Sequence, residues 1–126
     1  MRATQHKGDV ATARAVSTFT AMGYDVSIPL TESAAYDLIV DGAGSLRRVQ
    51  CKFSSTREVD LRRIHSNSNG YVDKRVADNA YDWPYVLRPD GTEYLIKKCH
   101  PGRRSVTPRP EHRLVPAADP GLFESA

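Results

Sequence analysis

The order of elements predicted along this chain is one amphipathic helix, three closely spaced strands, a polar linker and a β-hairpin. That order describes an α/β (α+β) domain built on one central sheet. Three observations carry it: a helical apolar stripe near the N-terminus, alternating runs between residues 36 and 53, and Pro89-Asp90-Gly91 set between two β-prone runs. At 126 residues the chain has the size of one compact domain with a modest core.

The helix is predicted over residues 10–22. At ~100° per residue Ala11, Ala15, Phe19 and Met22 fall on one stripe with Val16 at its margin, and Gly23 is a suitable left-handed stop. Residues 24–30 (YDVSIPL) form a first strand with Pro29 near its end, where a missing N–H does least harm. Residues 36–41 (YDLIVD) and 46–53 (LRRVQCKF) are the second and third strands, with 42–45 as a hairpin loop. Residues 59–64 suggest another short strand, and the polar stretch 65–70 a mobile loop. Residues 71–81 are ambiguous, with a short helix as one reading. WPYVLR and TEYLIK flank the Pro-Asp-Gly turn as a closing hairpin. Residues 1–98 therefore form the domain, and the proline-rich residues 99–126, without periodicity, an extended or disordered tail.

No apolar run approaches the ~18–20 residues that span a bilayer, and the N-terminus lacks a secretion signal, so a cytoplasmic protein is the default. Two cysteines are too few for a disulfide scaffold. Cys51, inside a strand, is read as a buried thiol, and Cys99 beside His100 makes a poor zinc site. The net charge of +3 decides little. Its distribution is more informative: the doublets Arg62-Arg63, Lys74-Arg75, Lys97-Lys98 and Arg103-Arg104 are suited to neutralising phosphates, and equally to a solvated basic surface.

Strand alternation brings out one constellation. In the third strand Val49, Cys51 and Phe53 point to the core, and Arg48, Gln50 and Lys52 point away. With a 42–45 loop, Asp41 faces Leu46, Ile39 faces Arg48 and Asp37 faces Gln50, their Cβ atoms about 4.5–5.5 Å apart. Lys52 stands one rung beyond on the same face. A carboxylate and an amide oxygen are hard ligands for Mg²⁺, and a nearby ammonium can hold a water or stabilise charge at phosphorus. Spacing alone favours the plainer reading, a polar, solvent-facing hairpin.

A resemblance adds to this. The segment KGDVATARAVSTFTAMGYDVSIPLTESAAYDLIVDGAGSLRRVQCKF, with the later Asp82-Trp83-Pro84-Tyr85-Val86 and Glu93-Tyr94-Leu95-Ile96, resembles the small PD-(D/E)XK endonucleases related to intron-encoded homing enzymes. It covers roughly residues 7–97. It implies a restriction-endonuclease-like αβββαβ core with a central mixed sheet, and metal-dependent hydrolysis of double-stranded DNA. The cofactor it implies is Mg²⁺, for which Mn²⁺ can substitute. Residue by residue, it implies that Asp37 binds the metal, that Gln50 fills the Asp/Glu position in its glutamine variant, and that Lys52 is the catalytic lysine. Where the family commonly has a glutamate on the first helix, this chain has Thr12, inside the buried stripe. Asp9 or Glu32 is then the candidate third ligand. If neither serves, the chain is a non-catalytic DNA-binding module with a degraded metal site. Arg62, Arg63, Lys74 and Arg75, which follow the catalytic strand, are the candidate DNA-binding residues. Cutting both strands of a duplex needs two active sites, which points to a symmetric homo-oligomer.

Overall fold

The computed structural model describes residues 3–31, 33–61, 63–67, 70–74, 80–98, 100 and 102–114. Among the described residues one long helix, α1 (Ala3–Ala21), lies against a mixed sheet, and Ala11, Ala15 and Phe19 are its fully buried face. The helix begins seven residues before the predicted start at residue 10. His6, Lys7 and Asp9 are exposed, so the first turns carry no apolar period to read. Gly23, at φ 95°, ends it as expected, and Met22, just past the last turn, is 43% exposed rather than on the stripe.

The strands are β1 (Asp25–Ser27), β2 (Leu38–Gly42), β3 (Ser45–Phe53), β4 (Val59–Asp60), β5 (Arg63–Asn67), β6 (Gly70–Lys74), β7 (Trp83–Leu87), β8 (Glu93–Leu95), β9 (Ser105–Val106) and β10 (Arg113–Leu114). The main sheet runs β1-β2-β3-β7-β8-β10, with β3 and β7 parallel and every other neighbouring pair antiparallel. This is the α+β fold with a central mixed sheet.

The β2–β3 hairpin turns on Ala43 and Gly44, at φ 53° and 78°. Left-handed values at both central residues give the turn whose twist matches the strands. The turn is two residues shorter than the 42–45 loop, one removed at each end, so the register is as expected: Asp41 pairs with Leu46 and Ile39 with Arg48.

Period-two alternation gives the sheet two buried faces. On the helix side Leu38, Val40, Val49, Cys51, Tyr85, Leu87 and Leu95 close over Ala11, Ala15 and Phe19. On the other side Val86 and Ile96 pack with Val59, Leu61, Tyr81 and Val106. Truncating a fully buried Phe such as Phe19 typically costs about 3–5 kcal/mol. The Arg14–Glu93 pair, at 3.8 Å with Arg14 48% exposed, is worth well under about 1 kcal/mol. Apolar packing therefore sets the helix on the sheet. The buried Glu93 carboxylate accepts hydrogen bonds from Thr18 (2.5 Å) and Tyr85 (2.6 Å), which offset its desolvation.

Three expectations need correction. Residues 102–114 are not a loose tail. β9 pairs with β4, β10 pairs with β8, and Val106 is buried in the second core. Strands of two residues are too short to show alternation, and short edge strands tolerate nearby prolines. The polar stretch 65–70 is not a loop where it is described: β5 and β6 form an antiparallel hairpin of their own. Residues 71–74 are strand, not helix, so among the described residues the long parallel connection from β3 to β7 contains β-structure. No described helix is long and apolar enough to cross a membrane.

The parallel pairing of β3 with β7 is pinned where the chain arrives at β7. Asp82 Oδ2 accepts the Arg48 N–H (2.8 Å) and the Arg48 Nε–H (3.3 Å), while the Asp82 N–H donates to the Arg48 carbonyl (2.9 Å). Burial pushes the Asp82 carboxyl up. The hydrogen bonds from Arg48 and the charges of Arg48 and Arg47 outweigh it, so the group lies below the ordinary carboxylate range. A lowered folded-state pKa contributes stability above the unfolded value that disappears as pH falls. Asp82→Ala is therefore expected to lose about 1–2 kcal/mol at neutral pH, allowing for partial exposure. Urea melts should show the gap full above about pH 5 and closing below about pH 4. A gap independent of pH would mean that the carboxylate charge plays no part.

Candidate active site

Asp37 precedes β2, at the rung opposite Gln50. Its N–H donates to the Val49 carbonyl (2.8 Å), and its Oδ2 accepts the Cys51 N–H (2.8 Å). Backbone and side chain of Asp37 thus grip β3 on both sides of Gln50. The pairing read from the hairpin register is present, and tighter than register alone required. Gln50 is half-buried, and its Oε1 is fully buried without a hydrogen-bond partner among the described residues. An orphaned buried carbonyl oxygen costs about 1–3 kcal/mol unless something satisfies it. Lys52, also half-buried, follows two residues on along the same face of β3.

The other wall comes from α1. A cavity of about 530 Å³ is lined by Asp9, Thr12 and Val16 of the helix, with Leu30, Tyr36 and Asp37 among the residues opposite. Asp9 and Thr12, three apart, share a helix face. Both candidates for the helix-borne ligand position therefore open onto the cavity that Asp37 lines. Thr12 reaches further in. Its side chain lies near enough to the buried Cys51 thiol to favour the charged form, and that thiol also feels the Asp37 charge. Burial first, and then Asp37, push that thiol far above its usual range, with the Thr12 contact pulling weakly the other way.

The sequence reading did not find the Arg48–Asp82 contact, although both residues lay within quoted motifs. Nothing in the spacing joins two residues 34 apart. Arg48 also lies 6.0 Å from the Tyr36 ring, beside Asp37. Of the other candidates, Glu32, Arg62 and Arg75 lie outside the described residues. Arg63 and Lys74 occupy facing positions on β5 and β6.

Whether these residues suit a metal depends on their chemistry. No group of three or more His, Cys, Asp or Glu converges among the described residues, which argues against a closed transition-metal cage. Two carboxylates, Asp9 and Asp37, line this cavity, and the unsatisfied Gln50 amide oxygen lies across the strand rung from Asp37; oxygen donors of this kind suit a hard divalent cation that keeps most of its waters.

A family model described as PD-(D/E)XK endonuclease matches residues 2–95, about three quarters of the chain. The chain belongs to the PD-(D/E)XK endonuclease family. The fold of this PD-(D/E)XK protein is similar to a solved bacterial homing endonuclease, I-Ssp6803I, with a TM-score of 0.67 and 25% sequence identity. The match covers 98% of this chain and 88% of that one. A comparison with curated proteins finds no match. Family and neighbour together support a nuclease.

Buried and far from its thiolate form, Cys51 should resist alkylation in the native protein. Peptide mass spectrometry after iodoacetamide treatment should find Cys51 unmodified when folded and labelled in denaturant. Labelling of the native chain at the denatured rate would place Cys51 at the surface.

Proposed function

We propose that this PD-(D/E)XK protein is an Mg²⁺-dependent DNA endonuclease that hydrolyses phosphodiester bonds, with Mn²⁺ able to replace Mg²⁺. The observation that carries the reading is the Asp37–Gln50 unit: an aspartate bound through its N–H and its carboxylate to the β3 backbone on either side of Gln50, whose buried amide oxygen has no partner among the described residues. Asp37 and Gln50 are the proposed metal ligands, and Asp9, across the cavity, is the proposed third. Glu32 is the alternative third ligand from sequence. A bound divalent cation supplies Lewis acidity toward the phosphoryl oxygen and lowers the pKa of water.

The rest falls to the protein's own groups. Asp37 holds its orientation through the Cys51 N–H, so its carboxylate does not reorganise as charge builds at phosphorus. Lys52, two residues beyond Gln50, would orient the attacking water and offset the charge of the pentavalent phosphorus. Double-stranded DNA is the proposed substrate, with Arg62, Arg63, Lys74 and Arg75 toward its backbone. A homo-oligomer would supply the second active site that a double-strand cut needs. The similarity to a homing endonuclease supports DNA as the substrate.

A second reading is favoured by one observation. Thr12 stands on the cavity wall where the family commonly carries an acid, and its side chain lies near the Cys51 thiol. With the metal held by one carboxylate and one amide, the chain would bind DNA without cutting it.

Supercoiled plasmid incubated with Mg²⁺ or Mn²⁺ tests the first reading. Asp37→Ala and Lys52→Ala should each slow nicking by at least about 10²-fold while DNA binding stays close to wild type. Cleavage by either variant at the wild-type rate would refute the assignment. The Thr12→Glu variant separates the two readings. If the helix-borne position is vacant, calorimetry should show tighter Mg²⁺ binding and cutting should rise. The variant should also melt lower in EDTA than in Mg²⁺ by a wider margin than wild type does. If Asp9 already fills the position, activity should stay level or fall, and Asp9→Asn should abolish it.

A further inference from the structure

A second concentration of positive charge lies away from Asp37, at the β8–β10 edge of the sheet. An open depression of about 920 Å³ is lined by residues that include Lys98, His100, Arg103, Arg109, His112 and Arg113. Five Lys and Arg side chains border it, against a single carboxylate, Glu111. Its loops are ordered by their own hydrogen bonds: the Arg103 N–H donates to the His100 carbonyl (3.2 Å), and the Arg109 N–H to His112 Nδ1 (3.1 Å). His100 Nδ1 is buried with no hydrogen-bond partner among the described residues. Burial, followed by the charges of Arg103, Lys98 and His112, holds His100 below the usual histidine range, so each of these groups lies close enough to act on His100. Convergent like charges repel, and an entering anion relieves the repulsion.

The kind of anion follows from exposure and position. Lys98, Arg103, Arg109 and Arg113 are all exposed, and the depression is far larger than one phosphate group. Exposed, dispersed cations suit a long solvated polyanion better than a small ion, which needs a tight, dry cradle. The sheet register ties the depression to the candidate active site. Lys52 pairs with Val86, Val86 with Tyr94, and Tyr94 with Arg113, one continuous row across four strands. Three strand spacings of about 4.8 Å separate its ends by ~14 Å. A duplex, rising 3.4 Å per base pair, covers that distance in about four base pairs.

We propose that this depression is a second anchor for the phosphodiester backbone of the duplex engaged at Asp37, with Arg103, Arg109 and Arg113 as its phosphate contacts. The proposal rests on the nuclease reading above. None of these three contacts belongs to the 62–63 and 74–75 doublets. It is built largely from residues 100–114, which join the fold through β9 and β10.

The test is equilibrium binding of a labelled duplex by the full chain in EDTA, across a salt series. The triple variant Arg103→Ala/Arg109→Ala/Arg113→Ala should bind at least about tenfold more weakly, with a log–log salt slope shallower by roughly two to three units. Glu111→Gln should bind more tightly than wild type. If the alanine set loses its cooperative melt, the glutamine set at the same three positions keeps much of the side-chain stems and takes its place. An unchanged slope in a wild type that binds and cuts DNA would overturn the anchor and leave the nuclease reading standing. Saturable binding of inorganic phosphate alone, lost in the triple variant while its DNA slope is unchanged, would overturn it in favour of a small-anion site. A wild type that neither binds nor cuts duplex DNA would remove the nuclease reading and the anchor with it.

Discussion

Strand β3 has a neighbour on each side, and its period-two alternation has to fill the helix-side core with one set of residues and keep the other set out of it. Val49 and Cys51 fill the helix-side core, which commits Arg48, Gln50 and Lys52 to the opposite side. Slipping the register by one residue would bury the charged set and expose the apolar one. The position of the candidate chemistry is therefore tied to the packing of the core. The antiparallel bond to β2 brings Asp37 to Gln50, and the parallel bond to β7 supports the same segment from behind.

The main features of the site were legible because they are local. A hairpin closed by a tight turn has one register compatible with its apolar alternation, so facing residues can be counted outward from the turn. Counting Asp37 against Gln50 needed no tertiary information. The helix stripe was legible for the same reason through Ala11, Ala15 and Phe19. What the alternation did not reveal was that the Asp37 side chain itself would take the Cys51 N–H, a contact that depends on where β2 begins.

The remainder was hidden for two physical reasons. Elements that bury no face leave no period, which concealed the first turns of α1, where His6, Lys7 and Asp9 are exposed. Elements of two residues are shorter than the pattern that would identify them, which concealed β9 and β10. Tertiary contacts between distant residues form a third case. Arg48 with Asp82, and Glu93 with Thr18 and Tyr85, join groups whose types were visible but whose proximity was not.

The pairing of β4 with β9 has a consequence for how the chain reaches its final form. Val59 meets Val106 across more than a third of the chain length, and β3 meets β7 only after a long excursion. The β2–β3 hairpin closes over two residues and loses little entropy in doing so. The second core requires every intervening segment to be in place before Val59, Leu61 and Val106 can meet Val86 and Ile96. High contact order of this kind slows the search for the native arrangement. It also leaves the apolar face of β7 incompletely covered until Val106 has emerged from the ribosome, so a nascent chain stalled before residue 106 would expose Val86 and Ile96 to other chains.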